Sequence, residues 1–203
     1  MQRVALVTGG MGGLGEAICI KLAALGYKVV TTHTPSNTRT QEWLQAMNNM
    51  GFGFKAYPCD VADYDSCKAC VETIEQDVGA IDVLVNNAGI TRDMTFKKMT
   101  KDDWNAVIRT NLDSVFNMTK QVLDGMVDRN WGRVINVSSV NGQNSTLRQR
   151  RWPSARWMSV GLPAGCPAMA SGGGRKLAAS SEASPDRADP CAGQAIPAAD
   201  SGG

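Results

Sequence analysis

The stretch "VTGGMGGLGEAI", Val7 to Ile18, decides the reading of this chain. The run "RVALVT" (3–8) leading into it has the apolar, β-branched character of a strand, and Leu14, Ile18 and Leu22 recur every fourth residue after it, as on one face of a helix. Between strand and helix lie Gly9, Gly10, Gly12, Gly13 and Gly15. A side chain at such a turn would hold the backbone away from an incoming diphosphate, and the amides at a helix start present partial positive charge to an anion. A plain glycine-rich turn is the competing explanation. The strand before and the helix behind favour the anion-binding loop.

The pattern repeats outward from there. "YKVVTT" (27–32), "FGFKAY" (52–57), "IDVLVNN" (81–87) and "RVINVSS" (133–139) are further strand candidates, several of them near-continuously apolar. Cys67, Cys70, Val71, Ile74 and Val78 form one buried helical stripe; Leu112, Val115, Phe116, Val122, Leu123 and Met126 predict another along a longer helix. "TKDD" (100–103) has the form of an N-cap with an acidic residue three later. Strand and helix in alternation imply an α/β fold, a doubly wound parallel sheet of the Rossmann type.

Composition narrows the class. The chain has 203 residues, 43% of them hydrophobic and 20% charged, which suits one globular domain. Residues 1–143 carry 14 basic and 15 acidic side chains, without the basic stripe of a nucleic-acid binder. No apolar run approaches the roughly 20 residues of a membrane span, and "MQRVALVTGG" contains no leader-like cleavage site. Six cysteines without a secretory context read as reduced thiols. These features imply a cytoplasmic location, with neither nucleic acid nor membrane as partner.

The character changes near Gln143. Of the 60 residues 144–203, 34 are Ala, Gly, Ser or Pro, and six of the eight prolines fall there. The domain reading is therefore a dinucleotide-binding unit over 1–143, incomplete after its fifth strand, and an irregular segment over 144–203 too poor in large apolar residues to offset the entropy of ordering. Its composition is that of a GC-rich gene read out of frame, so a frameshift is the expected origin; a divergent tail with its own partner is the alternative.

Thr8-Gly9-x-x-x-Gly13-x-Gly15, followed by "CDVAD" (59–63), "NNAGITRD" (86–93), "TNLDSVFNMTK" (110–120) and "RVINVSS", resembles the short-chain dehydrogenases/reductases in motif and order. The resemblance covers residues 1–143 and implies a nicotinamide cofactor held by Gly9, Gly12, Gly13, Leu14, Gly15, Asp60, Val61, Asn87, Ala88, Gly89 and Thr91. It also implies catalytic roles for Asn111 and Ser139. The second strand ends in "VVTTHTPSNTRTQ", with no carboxylate before Glu42, so a ribose 2′-phosphate meets no repulsion there and Arg39 can pair with it. NADP(H) is thus the expected form; the alternative is that Arg39 is simply a solvated side chain.

"NNAGITRD", "FKKMT", "NLDSVFNMTKQVLDGM" and "GRVINVSSVNGQ" together are similar to the acetoacetyl-CoA reductases of polyhydroxybutyrate synthesis. That implies an acyl-CoA substrate, with Asp93 and Lys98 at its mouth, and a homotetramer in intact members. As ordinary surface lysines, Lys97 and Lys98 would read the same. The 3-oxoacyl-carrier-protein reductases share "NNAGITRD" and are one alternative; a non-catalytic nucleotide-binding module is the other.

The family's chemistry uses a tyrosine to protonate the carbonyl oxygen, a lysine to lower that tyrosine's pKa, and a serine to hold the oxyanion. Thirteen residues after Ser139, where the tyrosine falls, this chain has Trp152, and four later, in place of lysine, Arg156. An indole N–H gives up no proton at neutral pH, and a guanidinium does not replace a lysine ammonium. Pro153 opposes the helix that would carry the pair. The sequence therefore predicts a poor catalyst.

Two constellations carry less. Cys67-Lys68-Ala69-Cys70 has the C-x-x-C spacing of a zinc site but lies on the apolar stripe, with one histidine, His33, in the whole chain. Core packing is the expectation. Arg148, Arg150, Arg151 and Arg156, with Trp152 and Trp157, sit in the segment of altered composition.

Overall fold

Strands that carry apolar side chains on both faces need cover on both, and a layer of helices on each side of a parallel sheet supplies it. The computed structural model describes residues 2–138. Five parallel strands, β1 (Val4–Val7), β2 (Lys28–His33), β3 (Lys55–Pro58), β4 (Ile81–Asn86) and β5 (Arg133–Asn136), lie in the order β3-β2-β1-β4-β5. The connecting helices are α1 (Gly13–Ala24), α2 (Thr40–Asn49), α3 (Tyr64–Asp77), α4 (Lys101–Ile108) and α5 (Ser114–Asp128). This is the doubly wound α/β architecture the alternating pattern implies. Every residue of β1 is buried, and all but Asp82 of β4.

The core divides at the sheet. Leu6, Val30, Ile81 and Leu84 pack on one side with Cys67, Cys70, Val71 and Ile74 of α3 and Met118, Val122 and Met126 of α5. Ala5, Val7, Val29, Val83 and Val85 pack on the other with Cys19, Ile18 and Leu22 of α1. Fully burying a side chain of this size stabilises by roughly 1.5–3 kcal/mol. The α3 stripe lies where its period places it, and Cys67 and Cys70 are core residues.

Five expectations need correction. Leu14 is 60% exposed, and the buried face of α1 turns on Gly15 and Cys19 instead, because Leu14 lies in the first turn beside the glycine loop. Phe52 and Phe54 precede β3 rather than belonging to it. Gly51, at φ +88°, ends the turn after α2, and the two rings stack at 5.4 Å outside the ladder. Phe116 is 64% exposed, one residue (about 100°) off the buried line of α5, and stacks on Tyr64. The long helix through residue 112 is broken by a π-helical turn, Arg109–Asp113, between α4 and α5. Of "RVINVSS", β5 covers Arg133–Asn136, and just beyond it the Val137 N–H donates to the Asn86 carbonyl at 2.9 Å. Ser139, the boundary at Gln143, Trp152, Arg156 and the whole of 144–203 lie outside the described residues.

Candidate cofactor and active site

In an open parallel sheet, ligands bind beyond the carboxyl ends of the strands where the strand order reverses. Here that switch lies between β1 and β4, and the loops following these two strands carry the predicted glycines and "NNAG". Thr8, buried at the end of β1, ties the loops together. Its Oγ1 accepts from the backbone N–H groups of Asn87 and Ala88, both at 3.0 Å, and lies 3.4 Å from the Val85 carbonyl oxygen. Asn87 answers with its side chain, Nδ2 donating to the carbonyls of Thr8 at 3.0 Å and Gly9 at 3.2 Å.

The glycine loop is anchored from β2. The N–H of Gly10 donates to Thr31 Oγ1 at 2.8 Å, that of Gly9 to Thr32 Oγ1 at 3.3 Å, and the Thr31 hydroxyl in turn donates to the Val7 carbonyl at 2.8 Å. Both threonines are buried. Gly9 turns the chain at φ +64° with a Cβ position only 3.2 Å from Ala88 Cα. At Gly15 a Cβ would stand 2.5 Å from the Gly9 carbonyl oxygen, so α1 can approach β1 this closely only with glycine there.

Gly12 and Gly13 differ in kind: nothing lies within 4 Å of a Cβ at either. Gly12 caps α1 without a side-chain hydrogen bond, and the first intrahelical bond is Glu16 N–H to the Gly12 carbonyl at 3.0 Å. The N–H groups of Gly13, Leu14 and Gly15 find no acceptor among the described residues. Open space in front of unpartnered amides at a helix N-terminus is a cradle for a phosphate anion. A dinucleotide diphosphate fits it.

The remaining sequence-derived residues lie in the segments that follow β2, β3 and β4 and in the turn ahead of α5. Asp60 and Val61 follow β3 in a loop braced by Asp60 N–H to Ser66 Oγ at 2.9 Å, Ala62 N–H to Asp60 Oδ1 at 3.0 Å and Asn117 Nδ2 to the Val61 carbonyl at 3.1 Å. Gly89 backs onto Asn111, whose Oδ1 lies 3.3 Å from the glycine's Cβ position. Asn111 sits in the π-helical turn, and its side-chain amide is engaged twice by Ile90. A π-turn inserted in a helix re-aims the residues it carries, and such turns recur at functional sites. Thr91, Asp93 and Lys98 are exposed on the segment beyond, Lys98 at the end of a short 3-10 turn, Phe96–Lys98. Arg39 is exposed ahead of α2, its N–H bonded to Asn37 Oδ1 at 2.8 Å and its guanidinium unpaired among the described residues.

Sequence reasoning overlooked Thr31, Thr32 and Asn117. Their signal was hydroxyl and amide side chains at buried positions, where each needs a partner. No described tyrosine stands in for the missing donor. Tyr57 is pushed up to about 12 by burial and by the Asp77 carboxylate, which its hydroxyl meets at 3.3 Å. Among the described residues, no helix is long and apolar enough to cross a membrane.

The short chain dehydrogenase family model matches residues 3–162, and the chain belongs to that family. The match runs past Gln143 and through positions 152 and 156. Over 155 residues the chain is 53% identical to an acetoacetyl-CoA reductase of Cupriavidus necator, covering 76% of this chain and 63% of that protein. Over 161 residues it is 49% identical to nodulation protein G of Azospirillum brasilense, covering 79% of this chain and 65% of that one. Among solved structures it resembles a gluconate 5-dehydrogenase from Burkholderia cenocepacia in complex with NADP and tartrate. The TM-score is 0.66 at 33% identity, over 76% of this chain and 60% of that one. The chain thus spans less than two thirds of the length of each of these relatives.

Proposed function

We propose that this chain carries the cofactor-binding part of an NADP(H)-dependent acetoacetyl-CoA reductase, the activity that supplies (R)-3-hydroxybutyryl-CoA for polyhydroxybutyrate synthesis. The observation that carries the reading is the pair of loops at the switch point. One presents the free amides of Gly13, Leu14 and Gly15, and the other is locked to it through Thr8 and Asn87. The likeness to an acetoacetyl-CoA reductase at 53% identity supports the substrate, and the NADP complex of the gluconate dehydrogenase supports the cofactor form.

Bound NADP(H) supplies the hydride. The chain's own residues divide the rest of the work. Gly12, Gly13, Leu14 and Gly15 receive the diphosphate, and Gly9 sets the turn that presents them. Asp60 and Val61 border the adenine, Asn87, Ala88, Gly89 and Thr91 follow the adenosine side, and Arg39 takes the 2′-phosphate. Asp93 and Lys98 stand at the acyl-CoA entrance. Ser139 holds the developing oxyanion. Asn111, its side chain bonded to Ile90, keeps a water in the proton path. Trp152 and Arg156 occupy the positions of the proton-donating tyrosine and its lysine, and loss of general-acid catalysis alone removes roughly 10²–10⁴ in rate. Binding therefore outlasts turnover in this polypeptide.

The test is calorimetric titration of the full chain with NADPH and NADH, alongside an assay with acetoacetyl-CoA and with acetoacetyl carrier protein. NADPH uptake with turnover at least a hundredfold below an ordinary reductase is expected; absence of uptake of either nucleotide sinks the reading. A frameshift as the source of residues 144–203 is checked by translating the gene's other two frames after codon 143. A Tyr-x-x-x-Lys sequence in one of them is expected, and its absence from both rejects that origin.

A further inference from the structure

Between the glycine loop and α2 lies a cavity of about 250 Å³ lined by Met11, Asn37, Arg39, Glu42, Trp43 and Ala46. It adjoins the glycine loop expected to hold the diphosphate, and Arg39, expected to pair with a ribose 2′-phosphate, is part of its wall. Among the described residues Arg39 is its one cationic wall residue, and Glu42 brings a carboxylate to the same wall. A second carboxylate stands close by. Glu16, in the first turn of α1, is half-buried and absent from the cavity lining, and its Oε2 accepts a hydrogen bond from Trp43 Nε1 at 2.7 Å. The same indole stacks on Phe54 at 5.8 Å, so its ring is fixed as well as its N–H. The wall residue Trp43 thus spends its only side-chain donor on an acidic group of the neighbouring helix.

We propose that Trp43 is a positioning residue for cofactor choice: its indole N–H pins Glu16 against α2, leaving Arg39 to face a ribose 2′-phosphate with one opposing carboxylate instead of two. The inference rests on the NADP(H) reading and extends it to two residues that touch no reacting atom. A carboxylate released beside a phosphate dianion, in a partly screened cleft, lowers affinity by roughly three- to tenfold. It leaves a ligand without the 2′-phosphate nearly untouched.

The experiment titrates adenosine 2′,5′-bisphosphate and 5′-AMP calorimetrically into the full chain and into Trp43→Phe, Glu16→Gln and the double variant. Phenylalanine keeps the ring on Phe54 and removes only the donor; glutamine keeps the acceptor and removes the charge. Expected is a three- to tenfold loss of bisphosphate affinity in Trp43→Phe with 5′-AMP within twofold, and recovery of the bisphosphate in the double variant. A mere brace between α1 and α2 would weaken both probes alike and would not be rescued by Glu16→Gln. An unchanged bisphosphate-to-AMP ratio in Trp43→Phe, or a double variant that regains nothing, overturns the proposal and leaves the NADP(H) reading standing. Equal affinity of the unaltered chain for the two probes, or binding of neither, overturns both. Should Trp43→Phe lose its fold by circular dichroism, Glu16→Gln alone decides. Its bisphosphate preference must hold or rise, and a fall overturns the proposal.

Discussion

Asn111 and Ile90 exchange two hydrogen bonds: the N–H of Ile90 donates to Asn111 Oδ1 at 2.8 Å, and Asn111 Nδ2 donates to the Ile90 carbonyl at 2.9 Å. One side-chain amide thereby substitutes for a strand neighbour along the loop that follows β4. The π-turn makes this possible by delivering Asn111 to the loop, which an unbroken helix would not do at the same register.

Replacing Asn111 with alanine leaves a part-buried donor and acceptor of Ile90 unmatched, at a cost of about 1–3 kcal/mol. The loss should appear as a lower urea midpoint with an unchanged slope. Because Gly89 and Ile90 move with the loop, nucleotide affinity should fall too. An Asn111→Ala chain with wild-type stability would mean that the paired bonds contribute nothing.

The two kinds of glycine in the cradle separate fold from binding. Gly15→Ala drives a Cβ to 2.5 Å from the Gly9 carbonyl and 2.7 Å from Asn87 Nδ2, so α1 must retreat from β1. A stability loss of roughly 1–3 kcal/mol is expected. Gly13→Ala meets nothing within 4 Å and gains helix propensity, so thermal stability should hold or rise, while the new methyl group stands in front of the open amides. Its NADPH affinity should drop at least tenfold. Equal binding losses at equal stability in the two variants would contradict this division.

The doubly wound fold was legible because its signals are local and redundant: a glycine loop between strand and helix, and apolar runs at the two periods. The α3 stripe lies as its spacing implied. What misled were places where tertiary contact overrode period. Leu14 belongs to the helical repeat, yet the first turn of α1 faces the cradle and leaves it in solvent. Phe116 pairs with Tyr64 on the outer surface instead of the core. The π-turn has no compositional mark in "RTNLD". At the site, glycines and asparagines announced themselves through motif order. The Trp43–Glu16 bond joins residues 27 apart on different helices and had no signal in either neighbourhood.

Thr8 is the hinge between the two loops. Valine at this position keeps the shape but removes the acceptor for the N–H groups of Asn87 and Ala88. Two part-buried amides then go unpaired, which costs roughly 2–4 kcal/mol if each loses somewhat less than a full desolvation penalty. Serine keeps the hydroxyl and gives up one buried methyl, about 1 kcal/mol. Equilibrium denaturation should therefore rank wild type above Thr8→Ser and Thr8→Ser well above Thr8→Val. The reverse order for the two variants would place the weight on packing rather than on the hydroxyl.

The start of α4 supplies a pH-dependent contribution whose sign follows from its geometry. Thr100 Oγ1 accepts from Asp103 N–H at 3.1 Å while the Asp103 carboxylate accepts from the Thr100 hydroxyl at 2.6 Å and its N–H at 3.3 Å, a reciprocal capping box. These bonds, the hydroxyl's first, with Arg92 at 3.7 Å adding a lesser attraction, hold the Asp103 carboxyl below its ordinary value of 3.8. A carboxyl whose folded pKa is depressed stabilises the fold fully above its unfolded pKa, and that contribution disappears as pH falls through the folded pKa. Asp103→Asn keeps the outline of the side chain without its charge, so its melting temperature should lie below wild type at pH 7. The two curves should converge on acidification below pH 3.8. Raising salt at pH 7 should narrow the gap only slightly, because Arg92 contributes less than Thr100. A gap that stays constant from neutral pH into the acid range would show that the charge of Asp103 does not contribute to the cap.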